Sequence, residues 1–293
     1  MQNVYAEQRA PSAGVFFALL GATCFGTTGT IQALAPEASQ PLIIGTMRLI
    51  VGGAAMVLWV LLRNGFSKNA PWPKVELLIA TVGIVSFQTF FFQSLVRTGV
   101  AVGTTIAIGV SPILGGIIEY LTQGNPPKRT WYAATFWAVA GLAILSFGCG
   151  ESKVDGVGIL MALVAGTGYA FYAAKSQILL RDHSPSEMVA TVFSLGGVLM
   201  CPLLFIYDVQ WMASPKGVTS VILIGLVGTA LACNFFAIGL ATLPLSTGLT
   251  LGLAEPMVAA LFGILLLSEP CSVQTVTGIL SIFIGMFVMA RNP

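Results

Sequence analysis

Four charged side chains lie inside long apolar stretches of the chain, namely Arg48, Glu119, Lys175 and Glu255. A charge at membrane depth costs at least about 2.5 kcal/mol, so we expect each of these to face a cavity or a partner. Glu255 is followed by Pro256, which has no amide N–H to donate to the carbonyl of Gly252. A carboxylate beside a free carbonyl could bind a proton, a cation or an ammonium group. It could equally pair with Arg48, or be a protonated acid bonded to a neighbouring helix.

Glu119 and Lys175 lie at matching depths, each near one end of its apolar stretch. Opposite charges at the same level could form a gate that closes one side of a pathway. Lys175 could equally extend its ammonium group to lipid headgroups, because a lysine stem can reach the membrane surface from such a depth.

Uncharged polar and aromatic residues of the same stretches are candidates for contact with a small solute: Phe25, Thr28, Gln88, Gln93, Ser111, Tyr169, Tyr172 and Asn234. Their aromatic rings could pack on an apolar solute group. For any single hydroxyl the alternative is a bond to its own backbone or to a neighbouring helix. Prolines that interrupt a helix and glycines that leave its surface without a side chain are hinge candidates: Pro112, Gly248, Gly252 and Pro256.

The composition is that of a membrane protein. Of 293 residues, 56% are hydrophobic and 8% are charged, and the mean hydropathy is +0.90. Soluble globular chains have roughly 25% charged residues. A net charge of +2 gives no basis for nucleic-acid binding. His183 is the one histidine, no CxxC pair occurs and the GxxxxGK[ST] motif is missing, so we expect no catalytic centre, metal or cofactor.

Ten apolar segments are long enough to cross a bilayer, whose core of about 30 Å requires about 20 helical residues. They predict an all-α integral membrane protein with helices near residues 12–34, 41–62, 75–96, 101–121, 131–147, 157–180, 186–206, 218–240, 246–267 and 273–290. Pro244 is expected to separate the eighth and ninth helices, because a proline disfavours helix in the residue before it.

The chain matches itself at an offset of 144 residues, and the matched pairs include Gly14 with Gly158, Pro41 with Pro185, Gly53 with Gly197, Pro112 with Pro256 and Gly141 with Gly285. This offset predicts two five-helix repeats, residues 1–148 and 149–293. Because five is an odd number, the second repeat must enter the membrane from the opposite side. Inverted repeats are typical of secondary transporters, which bind their solute near the midplane between the halves.

The basic residues predict the orientation, because cytoplasmic loops carry an excess of Lys and Arg. With both termini inside, the cytoplasmic ends hold Arg9, Arg63, Lys68, Lys74, Lys128, Arg129, Arg181 and Arg291, and the outer ends hold Arg97, Lys153 and Lys216. We therefore expect a multi-pass protein of the plasma (inner) membrane with both termini in the cytoplasm.

A motif in the second half resembles that of the drug/metabolite transporter superfamily: Leu253-Ala254-Glu255-Pro256, then Leu267-Ser268-Glu269-Pro270, Gln274, Gly278 and Gly285. More narrowly, the chain resembles the ten-helix EamA-type exporters and, through Phe90-Phe91-Phe92, the YddG-type amino-acid exporters. The resemblance implies a central cavity surrounded by helices 1, 3, 4, 6, 8 and 9. The first half departs from the pattern, since Ser111 and Asn125 stand where the second half has Glu255 and Glu269.

These observations predict a non-enzymatic secondary transporter that exports small organic solutes, above all aromatic or other hydrophobic amino acids and related metabolites. Alternating access would pass the solute through a central cavity. The expected partners are the solute and the lipid bilayer, with no nucleic acid, and a monomer suffices because both halves are on one chain. The alternatives are a nucleotide-sugar or drug carrier of the same superfamily and an integral-membrane enzyme that modifies lipids.

Overall fold

The computed structural model describes residues 11–63, 65–67, 70–124, 126–147, 155–267 and 271–291. Within these ranges the regular secondary structure is entirely helical. The basic residues Arg9, Lys68 and Lys153, the predicted boundary between residues 148 and 149, Asn125 and residues 268–270 of the second-half motif lie outside the described residues.

Ten helices follow one another in the described part of the chain, as predicted. They span Pro11–Ala33 (α1), Pro41–Arg63 (α2), Lys74–Gly99 (α3), Val102–Thr122 (α4), Arg129–Phe147 (α5), Gly156–Leu179 (α6), Pro185–Phe205 (α7), Pro215–Leu240 (α8), Leu245–Gly252 with Ala254–Leu267 (α9) and Val273–Arg291 (α10). Nine of these described helices are long and apolar enough to cross a membrane. The exception, α5, has 19 residues and two tryptophans, and it packs along α10.

Local sequence signals set the ends of several helices. α7 begins after Ser184, which forms a capping box with Glu187, and has Pro185 in its first turn. α9 begins directly after Pro244, as the sequence predicts. α3 and α4 are separated at Gly99, whose φ of 82° is a conformation that residues with a side chain rarely adopt.

Glycines at equivalent positions of the two halves make reciprocal contacts between α5 and α10. A Cβ atom at Gly141 would lie 2.7 Å from the carbonyl oxygen of Gly278, and one at Gly285 would lie 2.6 Å from that of Ala134. Gly141 and Gly285 are 144 residues apart, and so are Ala134 and Gly278. The two helices therefore exchange equivalent partners, which is the property of a two-fold related contact.

The contact between α2 and α7 is reciprocal in the same way. Gly53 faces the backbone of Ser194, and Gly197 faces the backbone of Ile50. Ile50 and Ser194 are again 144 residues apart. Two independent helix pairs thus share one pseudo-two-fold axis, which confirms the two inverted five-helix repeats.

The repeats differ in the backbone of two second-half helices. α8 contains a π-helical segment, Leu226–Leu231. α9 is divided into Leu245–Gly252 and Ala254–Leu267, so the single continuous helix predicted for residues 246–267 is wrong at Leu253. At the break, the N–H of Leu253 bonds to the carbonyl of Thr250 at 3.1 Å, and Pro256 cannot donate to the carbonyl of Gly252. Pro112, at the equivalent position of α4, does not break its helix, so the proline alone is not sufficient.

One face of the bundle carries the described chain ends and the α2–α3, α4–α5, α6–α7 and α8–α9 connections. We call it the terminal face. Contacts between these connections show that they lie together: Trp72 stacks on His183, and Gly14 packs on Thr242. On the opposite face, Arg97 forms an exposed ion pair with Asp155 at 3.2 Å.

Candidate solute-binding site

Arg48 projects from α2 toward the π-helical segment of α8. Its Nε donates to Thr229 Oγ1 at 3.2 Å, and its Nη2 donates to the carbonyl of Gly228 at 3.1 Å. Thr229 is oriented for this role because its own hydroxyl donates to the carbonyl of Ile224 at 2.9 Å. The half-buried guanidinium is therefore held in place by the second half, at a π-helical turn of the kind that is frequent at functional sites.

Glu255 lies in the first turn of the second segment of α9 and is half-buried. It interacts electrostatically with Arg48, yet the two do not form an ion pair. Within the described residues its carboxylate has no hydrogen-bond partner. Of the alternatives open from the sequence, the direct Arg48–Glu255 pair is thus not formed in this structure.

Tyr169 of α6 and Cys233 of α8 lie within electrostatic range of both charges. We call these four residues the charged cluster, after its two ionisable members Arg48 and Glu255; the Tyr169 hydroxyl and the Cys233 thiol are its neutral members. It draws on α2 of the first half and on three helices of the second half. Sequence reasoning identified three of its members and missed Cys233, because a single cysteine in an apolar helix has no pattern that distinguishes it.

An aromatic wall extends from the charged cluster across α6 to α3 and α7. The ring centroid of Tyr169 lies 5.0 Å from that of Phe87 and 5.8 Å from that of Tyr172, which in turn lies 5.9 Å from Phe193. Phe25, which is 144 residues before Tyr169, makes an edge contact with Phe236 at 6.1 Å. The predicted aromatic candidates thus line the interior of the bundle on both sides of the pseudo-two-fold axis.

Two predicted polar candidates carry buried oxygen atoms without a hydrogen-bond partner, Thr28 Oγ1 and Gln88 Oε1. Thr28 packs against Gly228, the residue whose carbonyl accepts from Arg48. Gln88 lies on α3, where its amide nitrogen is 3.5 Å from the carbonyl of Gly45. Buried polar atoms normally have a partner, so both oxygens are available to water or to a ligand.

Other predicted residues have their bonds elsewhere. Ser111 donates to the carbonyl of Ala107 at 3.0 Å and lies 3.4 Å from the carbonyl of Gly166, so it holds α4 against α6. Asn234 accepts from Ser186 at the start of α7, which places it toward the terminal face rather than at the midplane. Gln93 is half-buried on α3.

The four hinge candidates lie in different surroundings. Pro256 adjoins the break in α9, Gly252 ends its first segment, and Gly248 packs closely on Leu240. Pro112 lies inside the continuous α4.

Glu119 has a structural partner at the terminal face. Its Oε2 accepts from the backbone N–H of Ser246 at 2.8 Å, and so satisfies one of the free N–H groups at the start of α9. No ion pair joins it to Lys175 in the described residues, so the expected gate pair is not formed in this structure.

A second set of contacts, which we call the terminal-face network, joins the α2–α3 connection to the start of α7: Ser67, Trp72, His183, Ser184 and Glu187. The carboxylate of Glu187 accepts from the N–H of Ser67 at 2.5 Å, from the N–H of Ser184 at 2.8 Å and from its hydroxyl at 2.7 Å. The rings of Trp72 and His183 are stacked, 3.6 Å apart and 3° from parallel. The network therefore joins the two halves at this part of the terminal face.

His183 is almost fully buried, and neither of its ring nitrogens has a partner. Burial lowers the pKa of this imidazole, against a smaller opposing effect of the negative charges of Glu187 and Asp182. The ring is therefore held in its neutral form. Elsewhere in the described ranges, no three His, Cys, Asp or Glu side chains come together as a metal site.

Comparison with known proteins agrees with this architecture. Residues 12–147 and 156–291 each match the EamA-like transporter family. A Bacillus subtilis (strain 168) protein described as an uncharacterized transporter, YwfM, is 39% identical over 278 residues, which cover 94% of this chain and 93% of that protein. The threonine/homoserine exporter RhtA of Escherichia coli (strain K12) is 26% identical over 270 residues, which cover 90% of this chain and 85% of the exporter.

A crystal structure that is 18% identical superposes with a TM-score of 0.82 and covers 95% of this chain and 96% of that chain, which shows a shared fold. The two family matches together take in both five-helix repeats. This chain therefore belongs to the EamA-like transporter family, within the drug/metabolite transporter superfamily.

Proposed function

We propose that the protein is a secondary transporter that exports amino acids or similar zwitterionic metabolites. The observation that carries this proposal is the charged cluster, in which Arg48 and Glu255 lie within electrostatic range inside the bundle without forming an ion pair. Unpaired charges in such surroundings are costly. A solute with both a carboxylate and an ammonium group supplies the missing partner of each.

The donor and acceptor count supports this arrangement. A guanidinium has five N–H donors, and Arg48 uses two of its nitrogens on α8, so donors remain for a solute carboxylate. Glu255 has both carboxylate oxygens available within the described residues to accept from an ammonium group. The aromatic wall at Tyr169 would contact the solute side chain, which favours amino acids with an apolar or aromatic group.

The two halves suggest how access would alternate. Their reciprocal glycine contacts allow close packing at α2–α7 and α5–α10, around which one half can tilt against the other. The terminal-face network would open when the protein faces that side. The break at Leu253 would let the segment that carries Glu255 move relative to the start of α9.

The competing functions have less support. A nucleotide-sugar carrier would bind a diphosphate and would need several cationic groups around its cavity. The charged cluster contains one cation, Arg48, and one acid. An enzyme that modifies lipids would need a nucleophile–base pair or a metal cluster near one surface, and the described residues contain no such metal cluster.

Transport of labelled amino acids into liposomes that contain the purified protein tests the proposal. We expect saturable flux of amino acids, to be measured with and without a pH gradient. A competing solute should need both an amine and a carboxylate, so we expect analogues that lack either group to compete weakly. Equal competition by either analogue, or absence of amino-acid flux in a protein that is folded, would contradict the proposal.

We also propose that the terminal face lies in the cytoplasm. In cells, a membrane-impermeant thiol reagent should label Glu37→Cys from outside and should not label Ser67→Cys. The reversed pattern would place the terminal face outside.

A further inference from the structure

The hydroxyl of Thr229 lies between Arg48 and the backbone of α8, and the side chain of Thr229 is fully buried. Its Oγ1 donates to the carbonyl of Ile224 at 2.9 Å and accepts from Arg48 Nε at 3.2 Å. A hydroxyl has one hydrogen to donate and two lone pairs that accept. The bond to Ile224 uses that hydrogen, so only a lone pair of the oxygen faces Arg48. The backbone of α8 therefore sets the direction of the acceptor that Arg48 meets.

The two hydrogen bonds of Arg48 occupy one edge of its guanidinium group. Nε donates to Thr229 Oγ1, and the neighbouring Nη2 donates to the carbonyl of Gly228 at 3.1 Å. The N–H groups at the end of the guanidinium, on Nη1 and Nη2, form a second edge. A carboxylate can bind such an edge through two parallel hydrogen bonds. Thr229 and Gly228 thus hold the arginine by one edge and leave the other edge to a carboxylate.

The internal repeat shows that packing at this position does not need a hydroxyl. Position 229 is equivalent to Val85 of α3, and valine has the shape of threonine without the hydroxyl. A Cβ atom at Gly52 would lie 2.6 Å from Cγ2 of Thr229, and one at the equivalent Gly196 would lie 3.4 Å from Cγ2 of Val85. Both halves therefore pack a β-branched side chain on a glycine. Packing accounts for the methyl group of Thr229 and leaves its hydroxyl unexplained.

The hydroxyl and the guanidinium occur together in one half only. The position equivalent to Arg48 is Val192, a fully buried residue of α7. Where the first repeat meets the second through Arg48 and Thr229, the reciprocal contact thus has Val192 and Val85. The hydroxyl is present where there is an arginine to orient, and it is missing where there is none.

We propose that Thr229 is a positioning residue for solute binding, whose hydroxyl orients Arg48 so that the second edge of the guanidinium receives the solute carboxylate. The proposal rests on the amino-acid transport proposed above, and it assigns to that transport a residue outside the charged cluster. Without the hydroxyl, binding of the solute has to immobilise the arginine side chain as well. Immobilising one long side chain lowers affinity by about twofold to tenfold.

Thr229→Val tests the proposal, because it keeps the shape that packs on Gly52 and removes the hydroxyl. In liposomes we expect the KM for phenylalanine to rise by about twofold to tenfold, with the maximal flux per folded protein near that of the wild type. Phenethylamine has no carboxylate, so it should compete equally well in the variant and in the wild type. Thr229→Ala also lacks the hydroxyl and should raise the KM in the same way.

Two matched variants separate orientation from packing. Thr229→Ser keeps the hydroxyl and removes the methyl group, so we expect a lower melting temperature at the KM of the wild type. Val85→Thr adds a hydroxyl at the equivalent packing position, where there is no arginine, and it should leave the KM unchanged. Melting temperature and flux should be measured on the same preparation of each variant.

The reaction of Arg48 with phenylglyoxal, followed by mass spectrometry of the purified full-length protein, tests the orientation without transport. We expect the rate to rise severalfold in Thr229→Val, because the guanidinium is no longer held by its Nε, and to stay unchanged in Thr229→Ser. An unchanged rate in Thr229→Val, an equal rise of KM in Thr229→Val and Thr229→Ser, or equal weakening of competition by phenylalanine and phenethylamine would overturn the proposal. Absence of amino-acid flux in the wild type, with the difference in Arg48 reactivity intact, would instead contradict only the function proposed above.

Discussion

α4 and α9 occupy equivalent positions in the two repeats, and they respond differently to the same proline. α4 runs unbroken through Pro112, and the hydroxyl of Ser111 bonds back to its own helix and lies close to α6. α9 breaks at Leu253, just before Glu255 and Pro256. A short hydroxyl can be satisfied by the local backbone, whereas a longer carboxylate extends into the interior. The residue before the proline is therefore bonded within its own helix in α4, whereas in α9 it has no hydrogen-bond partner in the described residues.

The two repeats also differ at the terminal face. Glu187 and His183 of the second half have Ile43 and Ser39 as their equivalents in the first half. The acid and the imidazole of the terminal-face network thus have no equivalent at the matching positions of the first half. The repeats share the glycine contacts that pack α2 on α7 and α5 on α10, and they differ in residue type at Glu255, Glu187 and His183.

The largest effect is expected from removing the acid that distinguishes α9 from α4. Glu255→Gln should reduce amino-acid flux roughly thirtyfold or more, because the solute ammonium group loses its counter-charge. Liposome flux and melting temperature should be measured on the same preparation. Ser111→Ala is the matched first-half variant, and we expect its flux to stay near that of the wild type. Equal losses of flux in Glu255→Gln and Ser111→Ala would show that α9 and α4 do not differ in transport.

The shared packing should give equal effects in the two halves. Alanine at Gly141 or at Gly285 would place a Cβ against the backbone of the partner helix, and each should cost about 1–3 kcal/mol of stability. Gly29→Ala is the control, because no atom lies within 4 Å of its added Cβ. Thermal unfolding in detergent measures all three. Tolerance at one of the paired glycines and not at the other would contradict the two-fold relation.

A smaller effect is expected at the terminal-face network. Glu187→Ala removes the capping box and the bond to Ser67, and should cost about 1–2 kcal/mol. It should also raise the thiol labelling of Ser67→Cys. Asp155→Ala is the matched control on the opposite face, since Asp155 caps α6 through the N–H of Val157. If both variants change the labelling of Ser67→Cys equally, the network does not close this face.

The smallest effect is a pH dependence from His183. Burial lowers the pKa of this group in the folded state, so folding favours the neutral ring. The stability that this provides is complete above the unfolded pKa of about 6.5 and is lost as the pH falls below it, by at most about 1.4 kcal/mol per pH unit. His183→Phe keeps a ring against Trp72 and does not titrate. Melting temperatures between pH 8 and pH 5 should therefore fall more steeply in the wild type than in this variant.

The helices and the repeat could be predicted from the sequence because both are one-dimensional patterns. The length of an apolar segment determines whether it can span the membrane, and a constant offset of 144 residues identifies the repeat. Arg48 and Glu255 could be identified for the same reason, since a charge in an apolar segment is visible without a fold.

The bonding of individual residues could not be predicted, because it depends on how each helix is rotated. Position along a helix gives the depth of Asn234 and Ser111, but not the neighbours that they face in α7 and α6. The π-helical segment Leu226–Leu231 has no residue type that marks it, and only its contact with Arg48 makes it distinctive.

The reciprocal glycine contacts of α2–α7 and α5–α10 also bear on the origin of such a chain. Each contact is made by the same positions of both repeats, so a single five-helix polypeptide inserted in both directions would present both partners. Two identical copies could then assemble in the bilayer without a covalent link. Joining them into one chain fixes their ratio at one to one and lets each copy mutate separately. The serine at position 111 and the glutamate at position 255 are such a divergence between equivalent positions.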